Sequence, residues 1–205
     1  MTETPVEPLV VVLDDRARPA GSHGKLAAHH APGVAHLAFS VLLHDAEGRL
    51  LLQRRARDKH HFAGRWANTC CSHPAPGERL QEAAIRRLRE ELRLTDPPQL
   101  TIRSGFWYQA SDPVSSLVET EYDVVLAGRL TGDETFDPDP AEVAELAWLG
   151  AEQALQLADD PHTGAPWLRQ VLAAFRSPAR ELAPGIRARE DALASVPDGA
   201  PRPDL

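Results

Sequence analysis

Cysteine is scarce: the 205 residues hold only Cys70 and Cys71, and adjacent cysteines cannot build an ordinary disulfide framework. Long apolar runs are missing as well. No stretch approaches the ~18 apolar residues of a membrane span, and no signal-peptide core lies near Met1, so the expected location is the cytoplasm. Positive charge is in deficit. Twenty-two Lys and Arg against thirty Asp and Glu give a formal charge of -8, which argues against a general nucleic-acid or anionic-membrane binder. An anionic ligand would have to be held by local basic groups or by metal. Internal repeats are absent. What remains is ordinary for a globular chain, with 42% hydrophobic and 25% charged residues in a length that suits one domain with at most an added tail.

Residues 1–8 carry two prolines and few apolar groups and read as a flexible N-terminal arm; the core is expected from the β-branched run at 9–13. Residues 34–43 and 50–53 flank the turn signal His44-Asp45-Ala46-Glu47-Gly48, which predicts a strand and then a hairpin. A basic, histidine-rich loop at 54–64 leads to a short extended stretch at 66–72 and a Pro-Ala-Pro-Gly breaker at 74–77. Leu80, Ala84, Leu88 and Leu92, filled in by Ile85 and free of internal Gly or Pro, predict a helix over 79–92, stopped by Asp96-Pro97-Pro98. Further strands are expected at 100–108, 117–130 and 143–149, and helices around 151–158 and 166–175. Residues 177–205 have no sustained apolar period and are expected to form a mobile tail, leaving 9–176 as the domain.

On the helix, Glu82, Arg86 and Glu90 share one line and Arg87 with Glu91 a neighbouring one, which taken alone is the pattern of a solvated, salt-bridged face. The wider spacing adds to this. Glu78, Arg86, Leu88, Glu90, Glu91 and Leu94 resemble the Nudix box, a loop-helix-loop that holds divalent metal against a diphosphate. The match is partial, because the pattern's first glycine is Ser72 here, the Glu after the Arg is Arg87, and the last glycine is Arg93. Loss of a helix carboxylate removes an oxygen ligand that a hydrolytic magnesium cluster needs.

A second set lies outside the box: His29 and His36, seven apart, His73, and Glu119 with Glu121. The two glutamates flank Thr120 in an expected strand, so alternation turns both to one face, where they can reach one ion. Each also has a plainer reading, since a lone His is usually a surface or hydrogen-bonded core residue and Glu-x-Glu is often the wet face of a sheet.

Several motifs join these pieces: Lys25-Leu26-Ala27-Ala28-His29, His36-Leu37-Ala38-Phe39-Ser40, Leu51 to Ala56, Gly64 to Asn68, Cys71-Ser72-His73-Pro74 with Gly77-Glu78, Tyr108 with Asp112-Pro113, and Val118-Glu119-Thr120-Glu121. Over residues 9–175 they resemble the type I isopentenyl-diphosphate isomerases; the tail carries no such motif. The resemblance implies a single α/β domain of Nudix-like architecture, a mixed β-sheet flanked by α-helices. It implies that His29, His36, His73, Glu119 and Glu121 bind one divalent metal and that Cys71 and Glu121 form the catalytic pair, with Tyr108 assisting proton delivery. Glu91 would help hold magnesium on the substrate diphosphate, Lys25, Arg55, Lys59 and Arg87 would bind that diphosphate, and Trp167 would face the hydrocarbon end. Here Arg87 ceases to be a defect, because an enzyme that keeps its diphosphate intact can use a cation where a hydrolase needs a carboxylate.

The implied reaction interconverts isopentenyl and dimethylallyl diphosphate through a tertiary carbocation, with an acid and a base on opposite faces of the alkene and an aromatic ring stabilising the cation. Neighbouring cations are expected to lower the Cys71 thiol pKa. Manganese, zinc, iron and magnesium all suit the His/Glu set, with manganese or zinc expected first. Cys70 is expected to be a small buried residue turned away from the site, His30, His60 and His61 to be loop polar groups, and Trp66, Trp107 and Trp148 to be core residues. The substrate would be a small isoprenoid diphosphate, with no nucleic acid or membrane partner. The alternatives are a Nudix hydrolase of nucleoside or other diphosphates and a non-catalytic Nudix-like binding module.

Overall fold

The structure, a computed structural model, describes residues 7–177, 181–197 and 199–205. Among these residues nine strands form one mixed sheet: β1 (Leu9–Leu13), β2 (Pro19–Gly24), β3 (His36–His44), β4 (Leu50–Arg55), β5 (Trp66–Ala67), β6 (Cys70–Ser72), β7 (Thr101–Ser111), β8 (Val118–Arg129) and β9 (Val143–Leu149). Among the described residues five helices pack around it: α1 (Lys25–His29), α2 (Leu80–Leu92), α3 (Ala151–Asp159), α4 (Leu168–Arg176) and α5 (Pro184–Ala194).

β3 is the hub. It runs parallel to β8 from His36 opposite Glu121 to His44 opposite Arg129, and it is antiparallel to β6, with Ser40 opposite Cys71. The expected β3–β4 hairpin pairs only at its turn, Leu43 with Leu51 and His44 with Leu50. Beyond that β4 leaves to pair with β5 and β9. Alternation along β3 and β8 then separates two cores. Leu37, Phe39, Val41 and Leu43 with Tyr122, Val124 and Leu126 pack under α2, while Leu42 and Val125 pack with Leu168, Val171 and Leu172 of α4. Cys70 and Cys71 fall on opposite sides of this division, Cys70 fully buried in the first core and Cys71 against the second.

β2 and α1 are absent from the periodicity reading. β2 is a mostly exposed edge strand, Pro-Ala-Gly-Ser-His-Gly, with no apolar face to betray it. Of the expected arm, residues 1–6 lie outside the described residues, and Glu7 is tied down, its Oε1 accepting the N–H groups of Leu26 at 2.7 Å and Ala27 at 3.3 Å. Gly33, with φ of 85°, carries the chain from α1 to β3 so close to β8 that a Cβ there would meet Thr120 Oγ1 at 2.6 Å. The helix that starts the Nudix-like stretch ends at Arg93, whose φ of 51° is the left-handed cap that glycine fills more cheaply.

The expected mobile tail at 177–205 differs most. Residues 178–180 and 198 are outside the described residues, but the rest includes α5, which buries Ile186, Arg189, Glu190 and Leu193. Only two of those four are apolar, so no hydrophobic period marks the buried face. Glu190 accepts the Leu80 N–H at 3.0 Å, satisfying an otherwise open donor at the start of α2. Arg189 pairs with Glu190 and donates to the Glu78 carbonyl at 2.8 Å and to a main-chain oxygen of Leu205 at 2.8 Å. The segment therefore clamps the loop that carries the chain from His73 into α2. Arg189→Met would strand the Glu190 carboxylate, and the expected cost is about 3–5 kcal/mol, read as a lower urea midpoint. Adding Glu190→Gln should recover part of it; a double variant as unstable as the single one would reject the buried pair as the cause.

Candidate active site

The strand register assembles the site. Glu121 on β8 has His36 opposite it on β3 and Tyr108 opposite it on β7, and alternation brings Glu119, Glu121 and Asp123 to one face. α1 supplies His29, and the stretch after β6 supplies His73. The ligand atoms of His29, His36, His73 and Glu121 all lie within 4.8 Å of one another, as do those of His29, His61 and Glu119. His29, His36, Glu119 and Glu121 are buried.

Tautomers follow from the hydrogen bonds. His29 Nδ1 donates to the Lys25 carbonyl at 2.6 Å and His36 Nδ1 to the Val34 carbonyl at 2.7 Å, so in each neutral ring Nε2 carries a lone pair. Those lone pairs face Glu119 Oε2 at 2.9 Å and Glu121 Oε1 at 3.2 Å. His29 Nε2 and Glu119 Oε2 have no hydrogen-bond partner among the described residues. Lone pairs aimed at carboxylate oxygens call for a positive centre between them, either a proton on the ring or a metal ion. The set fits a divalent ion, with imidazoles oriented by backbone carbonyls as metal-binding histidines ordinarily are.

His73 Nε2 lies 2.8 Å from Glu121 Oε1. The Tyr108 hydroxyl donates to Glu121 Oε2. Burial, followed by the charge of Glu119, pushes the Glu121 pKa up, whereas for Glu119 the contacts to His29 and His61 outweigh burial and hold it well below the carboxylate range. Burial and Glu121 push the Tyr108 phenol well above its ordinary value. Of the two glutamates, Glu121 is thus the one inclined to carry a proton, with a phenol bonded to it.

Cys71 reaches the same pocket from β6, its Sγ 3.6 Å from Arg55 Nη1. Its thiol does not follow the expectation of a lowered pKa. Burial pushes it up to about 12, and the opposing pull of Arg55 is smaller. Trp167 lines the pocket beneath Arg55, whose guanidinium is 5.5 Å from the ring centroid, and its indole N–H donates to Asn68 Oδ1 at 3.0 Å.

The expected diphosphate-binding cations divide between two cavities, with Arg87 and Lys25 lining one beside the site pocket. Lys25, Arg55 and Lys59 line the pocket, and Lys59 pairs with Glu142. Arg87 contacts Glu91 at 2.5 Å, Glu90 at 2.7 Å and Glu142 at 3.2 Å. Burial disfavours its charge, yet Glu91, Cys70 and Glu142 outweigh burial and raise its pKa. Glu91 is buried. Arg86 instead ties Glu78 to the helix at 2.7 Å, a structural bond of the box.

Three site residues, His61, Asp123 and Glu142, are missing from the expected site. His61, expected as a loop polar group, puts Nε2 2.6 Å from Glu119 Oε1, while His30 and His60 are exposed. No periodicity could reveal this, because His61 and Glu119 are 58 positions apart with three strands between them. Asp123 extends the alternation of Glu119 and Glu121 into the pocket; it accepts from the Ser40 hydroxyl at 2.7 Å, and burial with the neighbouring glutamates pushes its pKa well up. Glu142, at the entry to β9, is the carboxylate shared by Lys59 and Arg87. Among the tryptophans expected in the core, Trp107 is 43% exposed, its ring only edge-on to Tyr122.

Residues 34–175 match the NUDIX domain family. The isopentenyl-diphosphate Delta-isomerase of Nocardia farcinica is 47% identical over 175 residues, 83% of this chain and 98% of its own length. That of Streptomyces griseus is 45% identical over 176 residues, 85% of this chain and 86% of its own. Among solved structures, a Deinococcus radiodurans protein superposes with a TM-score of 0.64 at 19% identity, covering 82% of this chain and 99% of that one. A MutT protein from Methanosarcina mazei gives 0.54 at 21% identity, covering 69% and 92%. At such identities the two structures bear on the fold alone.

Proposed function

The chain belongs to the isopentenyl-diphosphate Delta-isomerases of the NUDIX family, and from that membership we propose that it interconverts isopentenyl and dimethylallyl diphosphate in isoprenoid biosynthesis. The observation that supports this best is the convergence of Cys71 and of Glu121 with Tyr108 on one pocket. Cys71 reaches it from β6 and Glu121 from β8, the strands on the two sides of β3, and Tyr108 from β7 beyond β8.

The Glu121 carboxyl, oriented by His73 and bonded to the Tyr108 hydroxyl, delivers a proton to the terminal methylene carbon. The π electrons form that C–H bond and leave a tertiary carbocation, which Trp167 faces with its ring. Cys71, as thiolate, removes a proton from the neighbouring carbon, and the electrons of that C–H bond become the new double bond. One proton enters the substrate and one leaves it, so the forward pass ends with Glu121 as carboxylate and Cys71 as thiol, and proton exchange with solvent restores the starting pair. In the reverse direction that buried thiol is the acid. Arg55, 3.6 Å from Sγ, favours the thiolate but offsets only part of the upward push that burial gives the thiol pKa.

His29, His36, His73, Glu119 and Glu121 would hold one divalent ion, manganese or zinc first, and Glu91 would help hold magnesium on the diphosphate. Bound there, the ions supply positive charge that neutralises the diphosphate and steadies the carboxylates. Lys25, Arg55, Lys59 and Arg87 bind the diphosphate oxygens, which compete with Glu142 for Lys59 and Arg87. No helix among the described residues is long and apolar enough to cross a membrane, and the cytoplasm is the proposed location.

A mixed assay separates isomerase from hydrolase. Isopentenyl diphosphate and a set of nucleoside diphosphates are offered together with magnesium and manganese. Isomerised product without phosphate release is expected; phosphate release from any of them, with no isomer formed, would favour the hydrolase.

A further inference from the structure

The loop between β4 and β5 bends inward at a strained point. Phe62 has a φ of 49°, which is uncommon for a bulky side chain and persists only where surrounding contacts impose it. Those contacts are present: the Phe62 N–H donates to Asp112 Oδ2 at 3.3 Å, and its ring packs edge-on to Trp167 with centroids 5.4 Å apart. The bend turns the preceding residue, His61, into the pocket.

There the His61 ring stacks on His29, with centroids 5.1 Å apart and an interplanar angle of 28°. Its Nε2 lies 2.6 Å from Glu119 Oε1, while Glu119 Oε2 faces the lone pair of His29. The His61 carbonyl accepts from Arg55 Nη2 at 3.0 Å, and Nη1 of the same guanidinium approaches Cys71.

We propose that His61 is a positioning residue of the ion site, whose Nε2–H occupies one oxygen of Glu119 and thereby presents the other, singly, to the ion. This rests on the ion-site reading given under Proposed function. A carboxylate with both oxygens free can rotate or bind two-sidedly; one held by a neighbouring imidazole keeps a fixed orientation. The main chain of the same residue steadies Arg55, so the loop joins the ion site to the thiol side of the pocket. Outer partners of this kind typically change metal affinity about 10–100-fold.

The test titrates metal-free protein with Mn2+, following free Mn2+ by electron paramagnetic resonance. It compares wild type, His61→Leu, His61→Gln, His61→Asn, Glu119→Ala and the double variant His61→Leu/Glu119→Ala. His61→Leu is expected to weaken Mn2+ binding about 10–100-fold. His61→Gln, whose amide reaches about as far as Nε2, should recover most of it, while the shorter His61→Asn should not. Where Glu119 is already alanine, the leucine should have no further effect. With isopentenyl diphosphate, kcat should fall and KM hold, because the carbonyl contact to Arg55 is retained. Wild-type affinity in His61→Leu, equal affinities in the Gln and Asn variants, or an undiminished loss in the Glu119→Ala background would each overturn the proposal. A wild-type protein that takes up no Mn2+ in this titration, and no Zn2+ by elemental analysis after dialysis, would overturn the ion-site reading itself, a result distinguishable from all of these.

Discussion

Cys71→Ala is expected to slow isomerisation by about 10²–10⁴-fold, the usual worth of a positioned acid or base, whereas Cys70→Ala should keep most of the rate. The two sulfurs differ in surroundings. Cys71 lines the pocket 3.6 Å from the Arg55 guanidinium. Cys70 lies on the opposite side of the sheet, fully buried in the core under α2. Its removal should cost stability, about 1 kcal/mol for the lost packing, and little chemistry. Single-turnover kinetics with both variants, alongside denaturant melts, check the division. Equal loss of rate in two well-folded variants would place the reacting sulfur wrongly.

The second large effect concerns Arg87. Its guanidinium lies among three carboxylates, with Glu91 2.5 Å away and almost fully buried. Arg87→Glu would replace the counter-ion of that buried group with a fourth negative charge. Removing one partner of a buried pair costs about 3–5 kcal/mol of stability. Substrate binding should suffer separately. Losing a charge-assisted hydrogen bond to diphosphate weakens binding by about 1.5–3 kcal/mol, roughly one to two orders of magnitude, before repulsion is added. The KM for isopentenyl diphosphate should therefore rise by more than about 10-fold, less so as magnesium is raised and pairs with the new carboxylate. An unchanged KM at every magnesium concentration, in a folded variant, would reduce Arg87 to a partner of Glu91 alone.

What the sequence reveals divides along physical lines. α2 is legible because a four-residue apolar spacing marks its buried face, and β9 falls at 143–149 as expected. The same logic fails for α5. Two of its buried groups are Arg189 and Glu190, which hide by pairing with each other and with the start of α2, so the buried face has no apolar signature. β2 is invisible for the opposite reason, being exposed at a sheet edge.

In the site, Glu119 and Glu121 can be placed on one face from alternation alone. His36 can be set beside Glu121 only through the parallel register of β3 and β8, which no local pattern encodes. His61 reaches Glu119 because a strained bend at Phe62 turns it inward. The Cys71 thiol shows the limit of counting nearby charges: Arg55 and Lys59 pull its pKa down, yet burial, which sequence does not display, wins.

Proton NMR of isopentenyl diphosphate incubated with the metal-loaded protein in D2O tests the central claim most directly. Loss of the terminal vinyl signal is expected, with matching growth of dimethylallyl diphosphate, deuterium entering a methyl group from the acid side and both phosphorus signals intact. Vinyl protons that persist undeuterated in folded, metal-loaded protein, or a diphosphate that is cleaved, would contradict it.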